Sequence, residues 1–403
     1  MKNFFSSLIL LLCVINVQAA SYLISPQATT AGEEIAYKNH TFTVGTDAFA
    51  DFASLAAVQP ESNSTVYVAP GTYSDAITIN TQGLTLLGAN AFKDWTAART
   101  DESTITGTVF VNASNVTING FTFTGKGRIE STVGTYESPL TDISILYNIF
   151  TESTVTRSTN TPVIELGNVV VNEDAVSTKS QCRYKNCQVM HNKFYGDANH
   201  YPNFVSFGGA FGNTVVKDNC FSDGGRSVYL CNSQGNIEVS HNKFKDVGKT
   251  VATAPDGGTK GAFCVAIYRC GYANSTNVNI NSNEFDGCYG EESYFSLFRV
   301  YQGPTGSTST TTVAPKKMTV RVNHNTFKNK TSVSANSNQL GENMLLYADK
   351  STTADVDFNI ADNHFDNRFY KFSWMTLQDG RGQCEVYSNT FDQFTYGGTY
   401  VLS

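Results

Sequence analysis

The tripeptide Asn-x-Phe recurs along the chain at Asn119/Phe121, Asn148/Phe150, Asn192/Phe194, Asn219/Phe221, Asn242/Phe244, Asn283/Phe285, Asn325/Phe327, Asn363/Phe365 and Asn389/Phe391. Successive phenylalanines lie 29, 44, 27, 23, 41, 42, 38 and 26 residues apart. Self-similarity on this scale marks a repeat architecture, in which one unit cannot bury its apolar face alone and stacked units can. The residues ahead of each Phe set the register. Seven back stand Ile143, Cys187, Thr214, Ile237, Val278, Val320, Phe358 and Cys384. Five back stand Ile145, Val189, Val216, Val239, Ile280, Val322, Ile360 and Val386. Mostly β-branched residues alternating at period two describe a strand with one buried face. Cys187 and Cys384 fall on that inward row and read as core thiols. The Asn sits where one strand passes to the next. Its amide tolerates a bend and can bond to stacked copies of itself.

Further strands are predicted at Val163–Leu166, Phe204–Phe207, Val228–Leu230, Val265–Arg269, Leu297–Val300, Met344–Tyr347 and Trp374–Leu377. That makes three strands per turn. With strands stacked about 4.8 Å apart, roughly ten turns give a column on the order of 50 Å long. Composition agrees. Charged residues are 16% and aromatics 12%. A disordered chain carries more charge and fewer aromatics, and a helical bundle is rich in Ala, Glu, Lys, Leu and Arg. A net charge of −7 disfavours nucleic acid as a partner, because phosphate binding needs a basic stripe.

At the N-terminus, Lys2 precedes an apolar run from Leu8 to Val14 and then Val17-Gln18-Ala19-Ala20. This reads as a secretory signal peptide cleaved near Ala19 or Ala20. The bulky Leu12 before Cys13 disfavours a lipoprotein signal. A secreted, periplasmic or cell-surface location is expected, with no membrane span. The chain then divides into residues 1–20 (signal peptide), 21–65 (N-terminal cap) and 66–403 (column). Loss of Cys13 leaves eight cysteines, for which export makes disulfides possible. Cys182 and Cys187 are spaced to close a short loop. The absence of CxxC pairs and of HExxH argues against zinc.

The start of the column carries a resemblance. Asp47–Val58 reads as a short amphipathic helix over an open first turn, and Thr65–Tyr73 as a first strand with a Gly71-x-Tyr73 turn. Together with the repeat, this resembles the right-handed parallel β-helix of the pectin-lyase-like superfamily over residues 66–403. The resemblance implies an exported protein acting on polysaccharide, as a lyase, hydrolase or esterase. The adjacent Asp-Asp, Gly-His-Gly and Arg-Ile-Lys elements of polygalacturonases are missing. So are the later elements of pectin methylesterases and the Arg-x-Pro-x-x-Arg of many pectate lyases. The general layout is most similar to chondroitinase-B-like and alginate lyases.

Candidates therefore come from chemistry. Alternation turns Glu165, Tyr229 and Arg299 outward, with Tyr268 outward on a neighbouring strand and Arg269 at its end. A lyase acting on a uronic acid needs a cation to neutralise the carboxylate and groups to move protons, which Tyr268, Arg269 and Arg299 would supply. The competing reading makes these arginines surface ion pairs with Glu291 or Glu292. A hydrolase needs two carboxylates flanking one bond. Glu165 is an outward carboxylate, with Glu173 and Asp174 near it in sequence, but it lies several turns from Arg299. The rings of Tyr201, Tyr272, Tyr289, Tyr294, Phe295, Tyr301, Tyr370 and Trp374, with His200, are candidates for stacking on sugars. Tyr301, Tyr229, Glu165 and Trp374 are the expected substrate contacts. His191, His241 and His324 recur at the Asn turn and read as structural. The clusters Asp349/Asp355/Asp357 and Glu291/Glu292 offer oxygen ligands of the kind calcium takes, but match no calcium loop, so no cofactor is expected. The sequence thus reads as a monomeric β-helix that contacts a polysaccharide or oligosaccharide. Lyase-type β-elimination of an acidic glycan leads; a non-catalytic glycan-binding module and a hydrolase with an unrecognised carboxylate pair are the alternatives.

Overall fold

In the computed structural model, residues 19–151, 161–167, 182–196, 203–247, 263–288, 296–302, 316–328, 342–348, 355–366, 372–373, 382–392 and 399–400 are described. Among them, the chain winds through three parallel sheets of 13, 11 and 9 strands, each strand pairing with its counterpart one turn away. This is a right-handed parallel β-helix, the hand that parallel crossovers take. The valine sheet carries the strands ahead of each Asn, among them Ser144–Leu146, Gln188–Met190, Asn213–Lys217, Gly235–Ser240 and Thr276–Asn281. The phenylalanine sheet follows, with Ile149–Thr151, Lys193–Tyr195, Cys220–Ser222, Lys243–Lys245 and Glu284–Asp286. The third sheet closes each turn. It includes Arg128–Ser131, Ile164–Leu166, Asn203–Gly208, Arg226–Cys231, Phe263–Tyr268 and Ser296–Gln302.

Two side-chain columns hold the turns together. From Phe123 through Phe150, Phe194, Phe221, Phe244, Phe285 and Phe327 to Phe365, the rings stack with centroids 4.5–5.1 Å apart and planes within 13°. These side chains are almost fully buried, and burial of a Phe is worth roughly 1.5–3 kcal/mol. Beside them runs an asparagine ladder. Each Nδ2 from Asn148 to Asn363 donates to the next Oδ1 at 2.9–3.1 Å. Each Oδ1 also accepts the backbone N–H of the preceding Asn. The second Nδ2 hydrogen goes to a strand carbonyl, as from Asn242 to Val216 O at 2.8 Å. The amide thereby satisfies the backbone N–H that the corner removes from the sheet, and adds a second donor to a strand carbonyl. The residue before each Asn is left-handed: His191, His241 and His324 lie there with φ of 57°, 55° and 57°.

The structure corrects several expectations. The first repeat is out of frame by two residues. Phe123, and not Phe121, pairs with Phe150, while Asn119 pairs with Leu146 inside a strand. Gly120, at φ 83°, takes the corner, and Phe121 fills the ladder position, its N–H donating to Asn148 Oδ1 at 3.0 Å. The capping helix is Phe52–Val58, not Asp47–Val58. Its N-cap is Asp51, whose carboxylate accepts from Ser54 N at 2.7 Å. Within residues 21–65, Ser21–Ile24 pairs with Thr65–Val68 in the valine sheet. Cys187 is buried in the core, but Cys384 is only partly buried, and Val386 on the same strand is 36% exposed. Cys182 and Cys187 are not bonded to each other; Cys182 accepts from Gln234 Nε2 at 2.6 Å. No helix among the described residues is long and apolar enough to cross a membrane.

Candidate functional site

The outward face of the third sheet is a straight row set by strand register. Phe110, Glu130, Glu165, Ser206, Tyr229, Ala266 and Arg299 stand opposite one another on consecutive strands. Two residues further along, Cys231, Tyr268 and Tyr301 form a second row. Parallel strands repeat about every 4.8 Å, so neighbouring members of a row are one such step apart.

Glu130 and Glu165 are adjacent in the first row. The Arg128 guanidinium, outward on the same strand as Glu130, forms an ion pair with Glu130 and reaches Glu165 Oε2 at 3.5 Å. The side chains of Arg128, Glu130 and Glu165 are 16%, 18% and 9% exposed. Burial pushes the Glu165 carboxyl above its ordinary range, against the attraction of Arg128. Desolvation disfavours the charged form, and a nearby cation favours it; here the first is the larger. The result is two neighbouring carboxyl groups in unlike environments, with Glu130 at the guanidinium and Glu165 sunk beside it.

Two strands on, roughly 10 Å away, lies an aromatic cluster. The Tyr229 ring is 5.6 Å from Phe263 and 6.0 Å from Tyr268, and the Arg226 guanidinium lies 5.6 Å from the Phe263 ring. Tyr229 and Tyr268 are half-buried, while Phe263 is buried.

Of the residues selected from sequence, Glu165, Tyr229 and Tyr268 share this face. The strand register brings Arg299 and Tyr301 onto the same two rows, though their side chains lie outside the described residues, as does Trp374 altogether. Arg269 differs from the expectation of an accessible cation. It follows the strand at φ 51° and is 0% exposed, its guanidinium carbon 6.0 Å from the Tyr268 ring centroid. Tyr272, expected among the sugar-stacking rings, is 1% exposed and packs inside. The other loop rings named with it, His200, Tyr201, Tyr289, Tyr294, Phe295 and Tyr370, lie outside the described residues. Of the acidic clusters, Asp357 pairs with Lys317 Nζ at 2.7 Å. Asp349, Glu291 and Glu292, like Glu173 and Asp174, lie outside the described residues. No group of three or more metal-ligating side chains gathers among the described residues.

Sequence reasoning missed Arg128 and Glu130. Their strand, Arg128-Ile129-Glu130-Ser131, belongs to the turn ahead of Asn148, before the series of third strands recognised from sequence. Its alternation, with Ile129 inward and Arg128 and Glu130 outward, was the available signal.

No family model matches this sequence, and no curated protein matches it. Among solved structures, a selenomethionine form of the GH136 lacto-N-biosidase from Eubacterium ramulus is similar over 93% of this chain and 68% of its own. The identity is 10% and the TM-score 0.44. At that level the likeness says nothing about activity.

Proposed function

We propose that the protein cleaves a glycan along the outward face of its third sheet, and that it does so by hydrolysis at Glu130 and Glu165. The supporting observation is the juxtaposition of these two carboxyl groups, one strand apart, around a single guanidinium. Retaining glycosidases hold their carboxyl groups about 5–5.5 Å apart and inverting ones about 6.5–9.5 Å apart. The backbones of Glu130 and Glu165 are one strand step, about 4.8 Å, apart, which is nearer the retaining spacing.

The environments assign the roles. Glu165, whose carboxyl burial raises above its ordinary pKa, is assigned the proton delivered to the glycosidic oxygen as the bond to the anomeric carbon breaks. Glu130, paired with Arg128, attacks that carbon and forms a glycosyl ester. Water then enters, Glu165 takes its proton, and the ester is released with the configuration of the starting bond. The Tyr229–Tyr268 cluster offers an amphipathic surface for sugars further along the chain.

β-Elimination is the second reading. Tyr268 stands half-buried on this face, and Arg299 occupies the same outward row as Tyr229. Against it, the buried position of Arg269 removes one of the two cations that reaction would use. A non-catalytic glycan-binding module shares the aromatic surface but needs no paired carboxyls.

One experiment separates the three. The exported protein is incubated with a panel of neutral and acidic oligosaccharides, while reducing ends and ultraviolet absorbance are followed together. Hydrolysis yields reducing ends without unsaturated product, lost in Glu130→Gln and in Glu165→Gln while circular dichroism stays unchanged. Unsaturated product points to elimination. Binding with neither signal points to the module. Full activity in both glutamine variants overturns the assignment.

A further inference from the structure

Two thiols in the core meet across successive turns. Cys264 lies in the third-sheet strand Phe263–Tyr268, and Cys288 follows the phenylalanine-sheet strand Glu284–Asp286 of the next turn. Cys288 Sγ donates to Phe244 O at 3.3 Å, reaching back to the turn that carries Cys264. The two thiols are neighbours in one core cluster, are 0% and 5% exposed, and are unbonded in this structure. They are 24 residues apart in sequence. Of the other cysteines, Cys187 donates to Lys185 O, Cys220 contacts Ser222 Oγ, and Cys270 donates to Tyr268 O.

We propose that Cys264 and Cys288 form a disulfide that staples two successive turns at the corner between the phenylalanine sheet and the third sheet. A closed bond there constrains the unfolded chain and fixes the entry to the strands bearing Tyr268 and Tyr301. Two S–H bonds break and one S–S bond forms. The two protons and two electrons pass to the disulfide of a thiol–disulfide oxidoreductase, which leaves as a dithiol. Exchange proceeds through a thiolate. In the folded reduced protein, burial and the neighbouring Cys288 raise the Cys264 thiol well above its ordinary pKa and suppress that species. The bond therefore closes while the chain folds, before the corner is packed.

The test uses the full chain exported to an oxidising compartment and purified without reductant. The protein is unfolded and alkylated, then reduced and alkylated with a second, mass-distinct reagent. Cys264 and Cys288 are expected to carry only the second label, and the unreduced digest to contain their peptides joined. Cys187 is expected to carry the first. In Cys264→Ser, Cys288 moves to the first label, which does not require the variant to be fully stable. First label on both cysteines of the wild-type chain, or either one joined to a different partner, overturns the proposal. Reduced folded protein exposed to glutathione disulfide should lose these two thiols far more slowly than chain refolding in the same buffer. Equal rates would contradict closure during folding.

Discussion

Replacing Asn242 with Ala removes one rung from the buried ladder and leaves the surrounding strands in place. The Asn242 Oδ1 accepts the Asn219 backbone N–H and Asn219 Nδ2, both at 3.0 Å. Its Nδ2 donates to Val216 O at 2.8 Å and to Asn283 Oδ1 at 3.1 Å. In the Ala variant, Asn219 Nδ2 keeps Val189 O, and Asn283 Oδ1 keeps the N–H of residue 242. One backbone donor loses its partner, Asn219 N–H; Val216 O stays in the sheet, where its strand pairs with Gly235–Ser240. An orphaned buried polar group costs about 1–3 kcal/mol. With an unfolding entropy of about 2.1 cal/mol/K per residue over residues 21–403, the loss in Tm is roughly 1–4 °C. The control is Asn236→Ala. Asn236 belongs to a second, solvent-exposed ladder, donating to Asn213 Oδ1 at 3.1 Å and accepting from Asn277 Nδ2 at 3.3 Å. Water replaces those bonds, so the cost should stay within about 0.5 kcal/mol. Calorimetry of the two variants beside the wild type decides. Equal Tm values for Asn242→Ala and Asn236→Ala would refute the claim that the ladder stabilises the column by satisfying buried backbone.

Other expectations follow from the same contacts. Phe244 is fully buried between Phe221 at 5.1 Å and Phe285 at 4.8 Å; Phe244→Ala should cost about 3–5 kcal/mol in urea unfolding, and a loss like that of Phe92→Ala, at a ring 68% exposed, would argue against a packed stack. The folded-state pKa of Glu165 is raised, so its contribution to stability is present below the ordinary carboxylate pKa and is lost as pH rises through the raised value. Glu165→Gln should therefore gain Tm relative to the wild type as pH rises through that window, and parallel pH profiles would contradict the buried environment. Asp51→Ala removes the N-cap of the Phe52–Val58 helix and should cost about 1 kcal/mol, whereas Asp51→Ser should recover most of it; equal losses would show that the cap hydrogen bond is not the cause.

The repeat made the column legible because each Asn-x-Phe carries its own alternating strand, and alternation needs only local sequence. Its failure at Asn119 has a local cause as well. Phe121 and Phe123 both fit an inward ring, and only the pairing of Phe123 with Phe150 decides which one joins the stack. The candidate site was half legible. Glu165, Tyr229 and Tyr268 were found because an outward polar residue breaks an apolar strand. Glu130 went unrecognised because its partner Glu165 lies 35 residues later, across a loop whose length does not reveal which residues become neighbours.

By itself, then, the order of residues determined the solenoid, the rows that face inward and the corner that bends at each asparagine from Asn148 onward. A period of two fixes a side chain's face within its own strand, at a range of a few residues. Tertiary structure alone decided that Arg128 bridges two carboxyls, that Arg269 lies inside and that Cys264 meets Cys288. Those facts depend on register between turns separated by loops of unequal length, and on what the neighbouring turns cover, which no short-range pattern encodes.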